Sequence, residues 1–232
     1  MLRPFRLFVD VVLFFGSKPM QKKSFRALIS AAIVVALAGC SAQGTSKSAV
    51  SKSDATTSSA EVEYSYTASA ILAGGCFWCI ESDFEKLAGV GDVISGYSGG
   101  TKKNPTYRRQ GRHIEVIKVP YDPSVLSYRE IIDYHLRHID PLDAGGQFCD
   151  RGHEYTTAIY YADESEKADA QAAVQEAEAF LGETIVTPII EASKFWPAED
   201  YHQDYYKKNP VQYNLYRNGC RRDARVATVW GK

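Results

Sequence analysis

Residues 70–79 read Ala-Ile-Leu-Ala-Gly-Gly-Cys-Phe-Trp-Cys, and no other stretch constrains the fold as much. A four-residue apolar run ended by two glycines describes a short buried strand. After it, apolar side chains fall at Phe77, Ile80, Phe84 and Leu87, with Gly89 beyond, which is the spacing and the stop signal of a helix. A strand that turns through Gly74-Gly75 straight into a helix puts Cys76 at or beside the first helical residue. The glycines let the backbone approach a ligand closely. Unpaired N–H groups and the positive end of the helix dipole favour a thiolate over a thiol there, and a thiolate is a nucleophile. A buried structural cysteine is the alternative, since free cysteine is among the most buried residue types.

Further along, strands are expected over 90–97, 114–119, 155–161 and 185–191, helices over 127–139, 164–181 and 199–208, and loops over 98–111 and 140–154. Ser127 followed by Glu130 has the form of a capping box. The strands at 90–97 and 114–119 have no helix between them, so a regular doubly wound sheet is excluded. The expected fold class is α+β: a two-layer α/β sandwich with a ferredoxin-like core of mixed sheet, packed helices and a long C-terminal coil. The 45% hydrophobic content is enough for one sizeable core, and a formal net charge of −1 offers no nucleic acid a basic partner.

The front of the chain reads differently. Residues 1–39 carry Arg3, Arg6, Lys18, Lys22, Lys23 and Arg26 against the single acid Asp10. From Met20 there is a basic start, an apolar run and small residues before Cys40. That run is too short to cross a ~30 Å hydrocarbon layer and reads as an export signal. Leu37-Ala38-Gly39-Cys40 resembles the lipobox of bacterial lipoproteins. The resemblance implies cleavage before Cys40, lipidation of Cys40 and, with Ser41 next, an outer-membrane address. A plain secretory signal with an incidental cysteine is the alternative. The expected organisation is a signal segment at 1–39, with Met20 the simplest true start; the lipidated Cys40 and a Ser/Thr/Ala-rich tether at 40–67; and the catalytic domain at 68–232.

Cys76-Phe77-Trp78-Cys79 is a Cys-x-x-Cys motif. Haem attachment needs His where Ile80 stands, and a structural zinc site needs a second close cysteine pair that the chain lacks. No metal is expected. A thioredoxin-like redox pair remains open. Gly75-Cys76-Phe77-Trp78 with Glu81 is followed in order by Gly96-Tyr97-Ser98-Gly99-Gly100, Asn104-Pro105-Thr106-Tyr107, His113-Ile114-Glu115-Val116, Tyr121-Asp122-Pro123, Asp150-Arg151-Gly152, Tyr155-Thr156-Thr157-Ala158 and Ala198-Glu199-Asp200-Tyr201-His202-Gln203. Together these resemble the A-type peptide methionine sulfoxide reductases over residues 70–232.

The resemblance implies reduction of the S epimer of methionine sulfoxide, in proteins and free, through a sulfenic acid and then an intramolecular disulfide. Cys76 would be the nucleophile and Glu115 the general acid, kept protonated by an apolar site. Alternation alone would instead turn Glu115 to solvent. Tyr107 and Tyr155 would hydrogen-bond the sulfoxide oxygen, Asp150 would bind substrate backbone, and Phe77 and Trp78 would wall the methyl group. No cofactor is implied beyond an external thiol reductant of the thioredoxin type. The implied partners are oxidised methionine-containing proteins and that reductant. Contact with membrane would come through the lipid anchor alone, in a monomer on the periplasmic face of the outer membrane.

The chain departs from the family at three places. Cys79 replaces a common Gly, residues 108–112 make a shortened loop, and Cys149 replaces an Asn before Asp150. Cys220 matches a C-terminal resolving position on what reads as a flexible tail, so Cys220 ranks first to resolve the sulfenic acid, then Cys79, then Cys149. His135 and His138 stand one helical turn apart but read as surface or satisfied core, and His202 gains no chemical role. The rival readings are a general thiol–disulfide oxidoreductase using Cys76 and Cys79, and a non-catalytic peptide-binding lipoprotein.

Overall fold

The computed structural model describes residues 63–231; the signal, Cys40 and most of the tether lie outside the described residues. A six-stranded sheet organises the domain. Its strands are β1 (Ala68–Gly74), β2 (Ile94–Ser98), β3 (Ile114–Tyr121), β6 (Thr157–Tyr161), β7 (Ile189–Glu191) and β8 (Trp196–Pro197), in the order β7-β6-β1-β3-β2-β8. The four central strands pair antiparallel, while β7 runs parallel to β6 at one edge. With α1 (Phe77–Phe84) after β1 and α2 (Tyr128–Leu136) after β3, β6-β1-β3-β2 is the ferredoxin-like β-α-β-β-α-β arrangement. A separate two-stranded pair, β4 (Gly146–Gln147) and β5 (Asp150–Arg151), sits in the loop after α2.

Alternation along the strands builds two apolar faces. Ala70, Leu72, Ile117, Val119 and Ile159 meet Ile80 and Phe84 of α1 and Ile131, Ile132 and Leu136 of α2 in the main core. The opposite face holds a smaller cluster of Ala73, Ile114, Val116, Ala158 and Tyr160. Each fully buried Leu or Ile contributes roughly 1.5–3 kcal/mol. Helix ends follow the sequence signals. Ser127 Oγ accepts from Glu130 N–H at 3.2 Å while Glu130 Oε2 accepts from Ser127 N–H at 2.8 Å, completing the capping box of α2. The helix α3 (Glu164–Leu181) starts on Asp163, whose carboxylate accepts from Ser165 and Glu166 N–H, and stops at Gly182 in the left-handed region.

The C-terminal segment is not a coil. It folds as α4 (Tyr205–Lys208), α5 (Pro210–Gly219) and α6 (Arg222–Trp230). Pro210 starts α5 where its missing N–H costs nothing, and Tyr213, Arg222 and Trp230 are buried by the packing. Tyr213 packs on Cys79 of α1, Arg222 donates to the Gly74 carbonyl of β1, and Trp230 stacks on Phe180 of α3; such tertiary contacts supply most of the stability of short helices. Several other elements are shorter than the spacing predicts, among them β2, which begins at Ile94, and α2, which ends at Leu136. The strand expected at 185–191 begins at Ile189, and the helix expected at 199–208 forms only from Tyr205, after Asp204 takes a left-handed turn at φ 54°.

Candidate active site

Cys76 caps α1 from outside the helix at the turn made by Gly74 and Gly75. Gly75 has φ +80°, and a Cβ there would lie 2.5 Å from Gln147 Cβ. Only glycine fits both constraints. The turn presents Cys76 on the helix-covered side of the sheet, beneath the C-terminal helices.

Glu115 belongs to the same side. It alternates with Ile117 and Val119, stands opposite Tyr97 in the β2–β3 register, and is 1% exposed. Simple alternation misleads there because Ile114 and Val116 are buried on the other face. Glu115 Oε2 accepts the backbone N–H of Phe77 at 3.0 Å, so the carboxyl is tied to the peptide immediately after the cysteine. Its Oε1 is buried without a hydrogen-bond partner in the protein. Burial pushes Glu115 up to about 8, against the lowering effect of the Phe77 hydrogen bond. At neutral pH it is mostly a protonated acid with one oxygen uncommitted.

Tyr107 and Tyr155 meet with their hydroxyls 3.3 Å apart, and Tyr107 is 40% exposed at the mouth of the site. Trp78 stacks on Tyr205 with ring centroids 3.7 Å apart and donates its indole N–H to His202 Nδ1 at 3.1 Å. That bond makes Nδ1 the acceptor and leaves the proton on Nε2. The His202 ring stands 4.9 Å from both Phe77 and Tyr107. Phe77, Trp78 and Tyr107 therefore share one aromatic wall. Asp150 accepts a hydrogen bond from the Tyr216 hydroxyl, and Tyr216 packs against the cluster of Cys76 and Cys79. Glu81 does its work further back. Its carboxylate accepts from Ser95 and from Asp204 N–H, joining α1 to the turn before α4, and burial raises it to about 7.

The cysteines correct two expectations. The helix start does not make Cys76 a thiolate: burial, then the neighbouring Cys79 sulfur, holds its thiol well above the ordinary range. Cys79 is the thiol shifted down, first by the hydrogen bond from Cys76 and then by the cations Arg222 and Arg217. Cys220 is not on a flexible tail. It caps α5 and is bonded to Cys149, which leaves Cys76 and Cys79 as the free pair among the described residues.

Arg217 and Arg222 were not legible as site residues. Arg217 Nη1 reaches the Cys79 carbonyl at 3.4 Å and Nη2 the Asp83 carboxylate at 2.9 Å. Arg222, 2% exposed, donates to the carbonyls of Gly74 and His138 and covers the Phe148 ring. Pro210 with Tyr213 and Tyr216 at helical spacing was the signal that could have revealed this layer.

The family model "Peptide methionine sulfoxide reductase" matches residues 68–232. The chain belongs to this family. It is 54% identical over 164 residues to peptide methionine sulfoxide reductase MsrA 2 of Rhizobium meliloti, covering 70% of this chain and 83% of that protein. It is 44% identical over 168 residues to MsrA 2 of Staphylococcus aureus, covering 70% and 95%. Among solved structures, reduced Mxr1 from Saccharomyces cerevisiae superposes with a TM-score of 0.60 at 28% identity, over 64% of this chain and 90% of that one. As an MsrA-type reductase, the protein is an oxidoreductase that reduces methionine sulfoxide with disulfide turnover.

Proposed function

We infer that this reductase acts on the S epimer of methionine sulfoxide, with Cys76 taking the oxygen and Glu115 supplying the proton. The observation that carries the reading is the orphaned Oε1 of Glu115, a carboxyl that burial pushes up to about 8, beside the peptide that follows Cys76. A sulfoxide oxygen seated there accepts a proton from Glu115 and hydrogen bonds from Tyr107 and Tyr155. The S-methyl group packs on Phe77 and Trp78, and Asp150 with Tyr216 receives the peptide backbone. Cys76 attacks sulfur as the oxygen takes the Glu115 proton, and the proton of the Cys76 thiol returns to the Glu115 carboxylate. The net step converts Cys76 thiol and sulfoxide into Cys76 sulfenic acid and methionine, so the cysteine is oxidised by two electrons and the sulfoxide reduced by two.

Cys79 then attacks the sulfenic acid, forms the Cys76–Cys79 disulfide and releases water. Supporting this choice are the packing of Cys76 and Cys79 as free, buried cysteines in one cluster and the engagement of Cys220 with Cys149. A thioredoxin-type dithiol restores both thiols. The substrates are oxidised methionines of proteins in the cell envelope, where Cys40 anchors the enzyme through lipid on the periplasmic face of the outer membrane. Separated epimers of a methionine sulfoxide peptide, assayed with dithiothreitol, test the reaction: turnover of S alone is expected, and turnover confined to R sinks it. Palmitate labelling that persists in Cys40→Ala would sink the anchor.

A further inference from the structure

The shortened loop before β3 is strongly basic. From Ser98 to His113 it carries Lys102, Lys103, Arg108, Arg109 and Arg112 and no acidic residue, in a chain whose formal net charge is −1. The loop is built, not merely exposed. His113 is buried, accepts Gly100 N–H on Nδ1 at 3.0 Å and so donates from Nε2 to the Lys102 carbonyl at 2.8 Å. Thr106 and Arg109 close a tight turn through paired backbone hydrogen bonds, which puts Tyr107 and Arg108 at its tip. Arg112 sits in the left-handed region at φ 65°, with its carbonyl accepting from the His153 ring at 3.0 Å. A non-glycine residue held there costs of order 1 kcal/mol and persists only where the surroundings impose it.

The result is a cleft of about 590 Å³ lined by Tyr107, Arg108, Gln110, Arg112, His153 and Tyr155, together with His113 and one acid, Glu154. It opens directly from the Tyr107–Tyr155 pair, where the sulfoxide oxygen is read to bind. Among the described residues, neither Arg108 nor Arg112 is in any ion pair of the protein, and both are exposed. A polypeptide whose methionine sulfoxide sits at Tyr107 and Tyr155, with its backbone held by Asp150 on one side, brings the residues flanking it on the other side to this cleft, whose lining includes both tyrosines.

We propose that the cleft selects methionine sulfoxides whose flanking residues are aspartate or glutamate, with Arg108 and Arg112 as the specificity-determining pair. The proposal rests on the reading of Tyr107 and Tyr155 as the oxygen site. Two exposed charge pairs made with an acidic flank, and opposed by a lysine flank, are each worth little alone but act in the same direction.

The test compares kcat/KM for three peptides of the S epimer that differ only in flanks: acidic, uncharged and lysine. At low ionic strength the expected order is acidic, uncharged, lysine, with roughly a tenfold span between the ends that shrinks to near twofold in 0.5 M salt. In Arg108→Glu/Arg112→Glu the order inverts. That ratio is measured between peptides on the same preparation, so loss of folded protein does not move it. Equal kcat/KM for the three peptides in the wild type, or an unchanged order in the double variant, overturns the proposal while leaving the reductase reading intact. No turnover of any of the three would overturn the reductase reading and this selectivity with it.

Discussion

The backbone N–H of Phe77 donates to Glu115 Oε2 at 3.0 Å, fixing an acid from the start of β3 against the first turn of the helix that Cys76 caps. The bond does two things. It aims the carboxyl so that its other oxygen faces inward unpaired, and it does so at a depth where burial outweighs the hydrogen bond and raises the group to about 8.

Activity should therefore follow the protonated form of Glu115. With its pKa raised, the acid is fully present below neutrality and is lost as pH rises through about 8. Glu115→Gln keeps the shape and the bond to Phe77 but has no proton to give. It should lower kcat by at least about 10²-fold and remove the descending limb near pH 8. Full activity of the variant across pH 6–9 would show that another group supplies the proton.

Mapping the disulfide left by one equivalent of substrate distinguishes the cysteines. A Cys76–Cys79 bridge is expected in the wild type. Cys79→Ser should release a single equivalent of methionine and then stall without a small reductant, while Cys220→Ser should still form the Cys76–Cys79 bridge. Finding Cys76 bridged to Cys220 by peptide mass spectrometry would reinstate the C-terminal cysteine as resolver.

Gly75 tolerates no side chain. Alanine there would hold a strained φ and press on Gln147, whose amide clamps Asp140 at 2.9 Å. Gly75→Ala should cost at least about 1 kcal/mol, read as a fall in Tm of about 2–4 °C or more. Activity should fall further than stability does, because Cys76 moves with the turn. An unchanged melt and unchanged kcat would refute this account of the glycine.

His135 makes acid stability testable. It is fully buried beside β1, and desolvation, with help from the Arg222 charge, lowers it to about 3. A group depressed below its unfolded value stabilises the fold above that value, near 6.5, and the contribution is lost as pH falls from there toward 3. The slope from this residue is about 1.4 kcal/mol per pH unit. Urea unfolding of wild type and His135→Gln between pH 7 and 4 should show the wild type losing stability more steeply. Parallel curves would mean that His135 is not held neutral by the fold.

The strand-turn-helix around Cys76 was legible because every local signal agreed there: an apolar run, two glycines and then helical spacing. The two adjacent strands without a helix between them excluded a regular doubly wound sheet, in keeping with the antiparallel pairing of β2 and β3. Glu115 was legible only through its motif, since a strand buried on both faces erases the alternation that periodicity reads. The C-terminal layer was missed for a different reason. Tyr213, Tyr216, Arg217 and Arg222 act across more than 130 residues of sequence on Cys76, Cys79 and Gly74, and no local pattern encodes such a contact. The charge state of Cys76 failed similarly, because a helix dipole can be seen in sequence and the depth of burial cannot.

The central claim is that Cys76 itself takes the oxygen. Cys79→Ser protein, reduced and then given one equivalent of the S epimer with dimedone present, tests it directly by peptide mass spectrometry. The account predicts one methionine released per protein and a dimedone adduct on the Cys76 peptide alone. An adduct on Cys149 or Cys220 instead, or methionine released as readily when Cys76 is also replaced by Ser, would contradict it.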